Sequence, residues 1–225
     1  MVFKSVAIDG PAGAGKSTLA KRLAGALGFL YVDTGAIYRT LGLFALRHGA
    51  DLSDPEAIKD LLPRFSVRMD YGPDGLQHMF LGTEDVTQAI RVPEVSHASS
   101  AVSAIPAVRT YLLEMQRALA RSHNVVMDGR DIGTVVLPEA DVKIFLTASP
   151  EARARRRCDE LASQGTFQDY ETVLADLVAR DQRDTNRSAA PLRQAEDAVL
   201  VDTTHLDLEE SFRALLDTVR RELEV

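Results

Sequence analysis

Short apolar runs alternate with longer stretches whose apolar residues recur every three or four positions. The short runs have the length of buried strands, and the longer stretches have the period of amphipathic helices. Such alternation predicts an α/β fold with a parallel sheet. The predicted strands span residues 6–9, 29–32, 124–128, 142–146 and 198–202.

Helix start and stop signals divide the stretches between these strands. Pro106 and Pro150 stand at favoured first-turn positions, and Asp207 with Glu210 forms a capping-box pattern. The predicted helices begin at about residues 18, 36, 95, 106, 150, 169 and 207. The helix that begins at 36 ends near Gly49, the one that begins at 150 ends by Gly165, and the one that begins at 169 ends at Arg187.

Residues 63–90 have a different pattern. Strand-like runs at 65–70 and 76–81 flank the turn sequence 71–75, and residues 82–86 lead into a third short strand. We therefore predict a small antiparallel insert, in which His78 is a sheet-face residue rather than a metal ligand.

A glycine-rich loop follows the first predicted strand. It matches the P-loop pattern G-x-x-x-x-G-K-[ST], with a strand before it and a helix after it, as phosphate binding requires. Lys16 should reach the β- and γ-phosphates of a nucleoside triphosphate, and the Ser17 hydroxyl should bind Mg²⁺. The predicted ATP-binding residues are Gly10, Pro11, Ala12, Gly13, Ala14, Gly15, Lys16, Ser17 and Thr18.

A second polar segment follows the strand at 124–128. The apolar run ending in Asp128 resembles a Walker B strand, whose carboxylate serves Mg²⁺ directly or through water. Arg130 and Asp131 come next, at the end of the strand where ligands of α/β sheets bind. Asp131 could instead form a local ion pair with Arg130, and we favour the functional interpretation.

Two arginine-rich helices are joined by Ser163-Gln164-Gly165-Thr166. At 100° per residue, Arg153, Arg156 and Arg157 share a face from which Arg155 points away, and Arg180, Asp184 and Arg187 share another. Charged runs on helices usually face solvent. Beside a phosphate loop, however, they suit a lid that closes cations onto transferring phosphates.

Composition narrows the classes of function. The chain has 225 residues, 45% of them hydrophobic and 26% charged, and its net charge is −7, which argues against a nonspecific nucleic-acid binder. The only cysteine is Cys158, so no intrachain disulfide is possible. Apolar runs are too short for a membrane span, and no leader is apparent. We expect a cytoplasmic protein that binds neither membranes nor nucleic acid.

Among P-loop proteins, this pattern favours a small-molecule kinase. A GTPase would need a guanine-reading Asn-Lys-x-Asp run, which the chain lacks, and ABC-type or motor ATPases are longer. Four stretches together resemble bacterial cytidylate (CMP/dCMP) kinases over essentially the whole chain. They are the phosphate loop 10–16, the run Asp33-Thr34-Gly35-Ala36-Ile37-Tyr38-Arg39, residues 128–134 and residues 180–187.

The resemblance implies a P-loop nucleoside monophosphate kinase fold, with a five-stranded parallel sheet flanked by helices and a helical lid. The single kinase domain would have a core at 1–32, 107–148 and 190–225, a monophosphate-binding region with the antiparallel insert at 33–106, and a lid at 149–189.

It also implies residue roles. Arg39, Arg130 and Arg187 would hold the phosphate of the monophosphate, in an acceptor site that Thr34 also lines. Ser100, Arg109 and Asp131 would meet cytosine, and Arg180 and Asp184 the sugar hydroxyls. The catalytic set would comprise Lys16, Arg130, Arg153, Arg156, Arg157 and Arg187, with Ser17 and Asp128 serving the metal.

The implied reaction is phosphoryl transfer from Mg-ATP to CMP or dCMP, by a monomer. Two alternatives remain open at this point. One is a kinase for another small acceptor, such as UMP, AMP or a sugar acid. The other is a regulatory protein that binds ATP without transferring phosphate.

Overall fold

Strands and helices alternate along the computed structural model, which describes residues 3–72, 75–163 and 165–224. The elements are β1 (Ser5–Asp9), α1 (Lys16–Leu27), β2 (Leu30–Asp33), α2 (Thr34–Arg47), α3 (Pro55–Leu61), β3 (Val67–Tyr71), β4 (Gln77–Leu81), β5 (Glu84–Asp85), α4 (Pro93–Ser103), α5 (Pro106–Ser122), β6 (Val125–Gly129), β7 (Val142–Thr147), α6 (Pro150–Ser163), α7 (Tyr170–Asn186), β8 (Val199–Asp202) and α8 (Leu208–Leu223).

Five of the strands form one sheet in the order β2-β6-β1-β7-β8. β1 pairs in parallel with β6 on one side and with β7 on the other, and β7 pairs in parallel with β8. The central strand is apolar and fully buried at Val6, Ala7 and Ile8, as expected for a sheet covered on both faces. The predicted five-stranded parallel sheet is confirmed.

The chain divides into two compact units, one comprising residues 1–30 and 123–225 and the other residues 31–122. In the first unit, α8 begins with the predicted capping box, because Asp207 accepts from the Glu210 backbone while the Glu210 side chain accepts from the Asp207 backbone. The apolar stripe of α8 buries Leu215 and Val219, whereas Leu208 at its first position is 51% exposed.

The second unit holds the small antiparallel sheet β3-β4-β5 and the helices α2 to α5. α2 packs closely on α4 because Gly42 has no side chain, and a Cβ there would lie 2.9 Å from the backbone nitrogen of Ser99. The predicted antiparallel insert is confirmed. The predicted turn at 71–75 includes residues 73 and 74, which lie outside the described residues, as does residue 164 of the predicted lid connection.

Several boundaries differ from the predicted ones. α2 begins at Thr34, two residues early, because Asp33 caps it by accepting a hydrogen bond from the backbone of Ala36. α3, capped by Asp54, was not predicted. α7 ends before Arg187 because the chain turns back, and the backbone N–H of Leu192 bonds to the Asp184 carbonyl at 2.8 Å.

The buried apolar residues of α5, Val108 and Leu112, belong to the apolar core of the second unit. The division into core, monophosphate-binding region and lid stays a prediction. In the described part of the chain, no helix combines the length and the apolar character that crossing a membrane requires.

Candidate active site

The phosphate loop joins the end of β1 to the start of α1. Gly10 has φ of +153°, and a Cβ there would lie 1.9 Å from the Leu146 carbonyl oxygen of β7, so only glycine fits. Gly15, the N-cap of α1, also has positive φ, and no side chain caps the helix. The first backbone N–H groups of α1 are therefore left to bind an anion at the positive end of the helix dipole.

Lys16 is buried in this loop, with Nζ donating to the Pro11 carbonyl at 2.7 Å. Burial lowers the pKa of Lys16 well below its ordinary value, and the nearby charges of Arg130 and Arg180 lower it further, against the opposite effect of Asp128. Cations that repel one another in a buried place are the expected arrangement for a polyanion-binding site.

The structure brings together Ser17 and Asp128, the two residues predicted to serve the metal, and that role stays a prediction. The Ser17 Oγ donates to Asp128 Oδ2 at 2.9 Å. The register of the sheet brings this about, since Asp128 lies opposite Ile8 on the strand beside β1. Among the described residues, no group of three or more His, Cys, Asp or Glu side chains could hold a metal ion.

Asp9 supports this region and was missed in the sequence analysis. Its two carboxylate oxygens accept from the backbone N–H groups of Ile132 and Gly133, at 2.8 and 2.7 Å. Burial raises the pKa of Asp9 to about 6, despite these two hydrogen bonds. Asp9 thus fixes the backbone that directly follows Asp131. The available signal was an acidic residue ending a buried strand, where a charge is costly unless it is bonded.

Two ion pairs connect the segment after β6 with the end of α7. Arg130 Nε lies 2.9 Å from Asp184 Oδ2, and Arg187 pairs more loosely with Asp131 at 3.5 Å. Burial alone would raise the pKa of Asp184, but the Arg130 guanidinium, helped by Arg180 and Arg187, holds it below its usual range. The structure thus brings together Arg130, Asp131, Arg180, Asp184 and Arg187, which the sequence placed in two distant segments.

The arginines predicted to share one face of α6 have different partners. Arg153 is buried and donates to the carbonyl of Ala12 in the phosphate loop at 2.8 Å, and it pairs with Asp181 of α7 at 2.6 Å. Arg156 bonds to Thr203, after β8. Arg157 is exposed and pairs with Glu160 within its own helix. Their part in catalysis stays a prediction.

In the second unit, the predicted residues Thr34 and Arg39 lie at the start of α2. Thr34 is buried, and Arg39 pairs with Asp33 at 2.7 Å. Asp33 also pairs with Arg91 at 3.3 Å. Burial would raise the pKa of Asp33, but the two guanidinium groups outweigh it and lower that pKa. Neither Asp33 nor Arg91 was singled out from the sequence, although an aspartate before a helix is a known capping signal.

Ser100 and Arg109 lie on either side of the joint between α4 and α5. Arg109 donates to the Ser103 carbonyl at 3.0 Å, and its guanidinium lies over the Tyr38 ring, 5.3 Å from the centroid. The Ser100 carbonyl accepts from the Ser103 hydroxyl. Both residues are therefore held by the same helical joint, while their contact with a base stays a prediction.

A parallel sheet whose first strand enters a lysine-bearing phosphate loop, with an aspartate from the neighbouring strand on the loop serine, defines a P-loop nucleotide-binding protein. Comparison with known proteins identifies the particular family. The cytidylate kinase family model matches residues 6–221. The chain belongs to the cytidylate kinase family, and it is an enzyme of the nucleoside monophosphate kinase class.

Curated relatives match over nearly their whole length. A cytidylate kinase of Carboxydothermus hydrogenoformans is 51% identical over 98% of this chain and 99% of its own. One from Mycolicibacterium paratuberculosis is 52% identical over 98% and 96%. Among solved structures, an uncharacterized protein from Eubacterium ventriosum shares the fold, with a TM-score of 0.51 at 12% identity over 98% of both chains.

Proposed function

We propose that this enzyme transfers the γ-phosphoryl group of ATP to CMP or dCMP, giving ADP and CDP or dCDP. One observation carries the proposal. The buried Lys16 ammonium lies in a phosphate loop within the electrostatic reach of Arg130 and Arg180, and Arg130 is held by Asp184. Such a site suits the transfer of a phosphoryl group, because its cations neutralise the negative charge of the phosphates. The names of the curated relatives supply the nucleotide.

The chemistry asks little of an acid or base. An anionic oxygen of the CMP phosphate attacks the γ-phosphorus, the bond from that phosphorus to the β-phosphate oxygen breaks, and ADP leaves with the electron pair. Because the attacking oxygen is already anionic, no general base is needed. Catalysis then rests on alignment and on neutralising the equatorial oxygens, which is the role we assign to Lys16, Arg130 and Arg187.

The loop residues fit Mg²⁺. Mg²⁺ prefers hard oxygen ligands, and in kinases it is usually held by one or two protein groups together with the phosphates of the substrate. The Ser17 hydroxyl and the Asp128 carboxylate, 2.9 Å apart, are such a pair. When bound, the ion would be held by Ser17 and Asp128 and would reduce the negative charge of the reacting phosphates.

The acceptor phosphate is assigned to Arg39, Arg130 and Arg187. The buried Nε of Arg39 makes no hydrogen bond within the described residues, so the guanidinium retains a donor for a ligand oxygen. Such an unsatisfied buried donor costs about 1–3 kcal/mol. Binding a phosphate oxygen would remove that cost, which supports an anion as the partner of Arg39.

ADP release against a panel of acceptors tests the proposal. We expect release with CMP and dCMP, much less with UMP, and only background with AMP or gluconate. Activity should vanish with a chelator and return with Mg²⁺. Equal rates with AMP would overturn the choice of acceptor. ATP binding without ADP release on any acceptor would favour a regulatory protein.

We further propose a monomer in the cytoplasm. With a single cysteine, at position 158, no disulfide within the chain is needed, which suits a reducing compartment. Size-exclusion chromatography with light scattering tests the monomer, whose expected mass is 24.6 kDa.

A further inference from the structure

The small antiparallel sheet lies against the outer edge of β2. β2 is an edge strand of the five-stranded sheet, so one side of its backbone has no neighbouring strand within that sheet. Tyr71 and Gln77, paired across the ladder of β3 and β4, both reach this backbone with their side chains. The insert therefore uses side chains, rather than a further strand, to satisfy an open edge.

Gln77 makes a two-point contact with Asp33. The Asp33 backbone N–H donates to Gln77 Oε1 at 2.8 Å, and Gln77 Nε2 donates to the Asp33 carbonyl at 3.2 Å. The Tyr71 hydroxyl donates to the Tyr31 carbonyl at 2.8 Å. Burial raises the pKa of Tyr71, so its hydroxyl remains a donor at neutral pH. Gln77 is only 8% exposed, which makes its amide geometry well defined.

Asp33 in turn contacts the residues predicted to bind the acceptor phosphate. Its carboxylate caps α2 and pairs with Arg39, and Thr34 follows it in the chain. A Cβ on Gly35 would lie 3.0 Å from a terminal nitrogen of Arg39, so the guanidinium is packed tightly over this turn. A shift of the Asp33 backbone would therefore displace the Arg39 guanidinium.

We propose that Gln77 is a positioning residue of the acceptor site: it fixes the backbone of Asp33, and through it the guanidinium of Arg39. The inference rests on the proposed function, in which Arg39 binds the acceptor phosphate. It assigns a role to the insert, whose side chains hold the backbone of β2 immediately before Thr34 and α2. Gln77 itself does not touch the reacting atoms.

The sharpest test is Gln77→Glu. A carboxylate still accepts from the Asp33 N–H, but its second oxygen meets the Asp33 carbonyl with no proton between them. We expect kcat/KM for CMP to fall about tenfold at pH 8, the loss that corresponds to one missing buried hydrogen bond. KM for ATP should stay within about twofold, since the phosphate loop is built separately. The ratio of CMP to UMP activity should not change, because Arg39 contacts no base.

Two further variants separate positioning from general damage. Gln88→Glu makes the same change of charge at an exposed position of the same unit, and it should leave kinetics and melting temperature unchanged. Gln77→Met removes both hydrogen bonds to Asp33, and the 3.1 Å contact of Gln77 Nε2 with Met79 Sδ, at similar volume. At pH 5.5, relative to wild type at that pH, Gln77→Glu should recover in part, because burial at this position raises the pKa of the introduced carboxyl and its protonated form donates again, whereas Gln77→Met should not.

Failure of the inference is distinguishable from failure of the proposed function. If wild type does not phosphorylate CMP, the function is wrong. If wild type is active but Gln77→Glu keeps its kcat/KM for CMP, or raises KM for ATP in parallel, the positioning role is wrong. Should Gln77→Glu not fold, Gln77→Met and Tyr71→Phe carry the same measurement, and an unchanged kcat/KM for CMP in both would overturn the proposal.

Discussion

Two strand-to-helix turns in this protein differ in what bonds the first backbone N–H groups of the helix that follows. The turn between β1 and α1 ends in Gly15, an N-cap with positive φ and no capping side chain. The turn between β2 and α2 consists of Asp33, whose carboxylate accepts from the backbone of Ala36 at 2.9 Å. Both helices have a positive N-terminal end. The first leaves that end to an external anion, and the second fills it with an anion of its own.

The residue at the N-cap therefore decides what each turn can bind. Because α2 is capped from within, an N–H group of its first turn is already bonded, and in the proposed function guanidinium groups bind the acceptor phosphate instead. Arg39 and Arg91 are collected there by the same aspartate. A glycine at the cap produces a backbone site, whereas an aspartate produces a side-chain site.

Lys16→Met should produce the largest effect and would test the backbone site. Losing one preorganised donor to a transition state typically costs about 10²–10³ in kcat. Stability should change little, because burial and the charges of Arg130 and Arg180 disfavour the ammonium and offset the loss of its hydrogen bond to the Pro11 carbonyl. The measurements are steady-state kinetics and thermal unfolding, with the exposed Lys21→Met as control. Near-wild-type kcat in Lys16→Met would show that the loop does not act on the transferred phosphate.

Asp33→Asn tests the second turn through stability. Asparagine is an equally good N-cap but carries no charge. The variant should lose about 2–3 kcal/mol at pH 7, less than the loss for a fully buried pair because Arg91 is half exposed.

The pH dependence of this loss has a definite sign. The pKa of Asp33 is lower in the folded than in the unfolded protein, so its charge stabilises the fold above the ordinary value of 3.8. The difference between wild type and variant should hold from pH 8 to about 5 and shrink as the pH falls through 4. Urea unfolding measures it, and Asp54→Asn, an exposed cap that has no ion pair among the described residues, is the control. A loss of stability that is independent of pH would contradict the ion-pair argument.

The same contrast explains what the sequence could and could not predict. The phosphate loop is contiguous, and its residues act through the backbone next to them, so a local pattern identifies it. The parallel sheet also follows from short apolar runs separated by helices, although the order of its strands does not. The turn between β2 and α2 is different, because Gln77 and Arg91 join Asp33 and Arg39 there only on folding.

Buried polar residues account for most of what was missed. Both Asp9 and Gln77 bond to backbone groups far away in the sequence. Asp9 accepts from the N–H of Ile132, and Gln77 accepts from the N–H of Asp33. Nothing next to either residue indicates which backbone it meets. The helix α3 was missed for a different reason, since its seven residues are too few to show a helical period.

Asp131→Asn sharpens the assignment of base recognition. A carboxylate only accepts, so it suits the exocyclic amine of cytosine and opposes O4 of uracil. Each mismatched buried contact costs about 1–3 kcal/mol, so CMP should be preferred over UMP by roughly ten- to a few hundredfold per mismatch. Asparagine can donate to O4, so the variant should lose CMP activity while losing much less UMP activity.

The control for this experiment is Asp184→Asn, a second buried acid that pairs with Arg130. It should lower kcat/KM for CMP and UMP to the same extent, because the sugar hydroxyls are common to both nucleotides. If Asp131→Asn also left the ratio of the two values unchanged, Asp131 would be only the ion-pair partner of Arg187.

The smallest expected effect distinguishes two neighbouring arginines of α6. Arg157 is 43% exposed and pairs with Glu160, so Arg157→Ala should change the free energy of unfolding by less than about 1 kcal/mol. If Arg157 binds a phosphate oxygen during transfer, it gains a charge-assisted bond but loses side-chain freedom, which leaves roughly 1 kcal/mol, or about fivefold in kcat.

Arg155, which is also exposed, should tolerate alanine without loss. Arg153 and Arg156 cannot provide this test, because their partners in the phosphate loop and after β8 couple activity to stability. Equal kcat values for Arg155→Ala and Arg157→Ala, at equal melting temperatures, would exclude Arg157 from the proposed catalytic set and leave Arg153 and Arg156 as its members on α6.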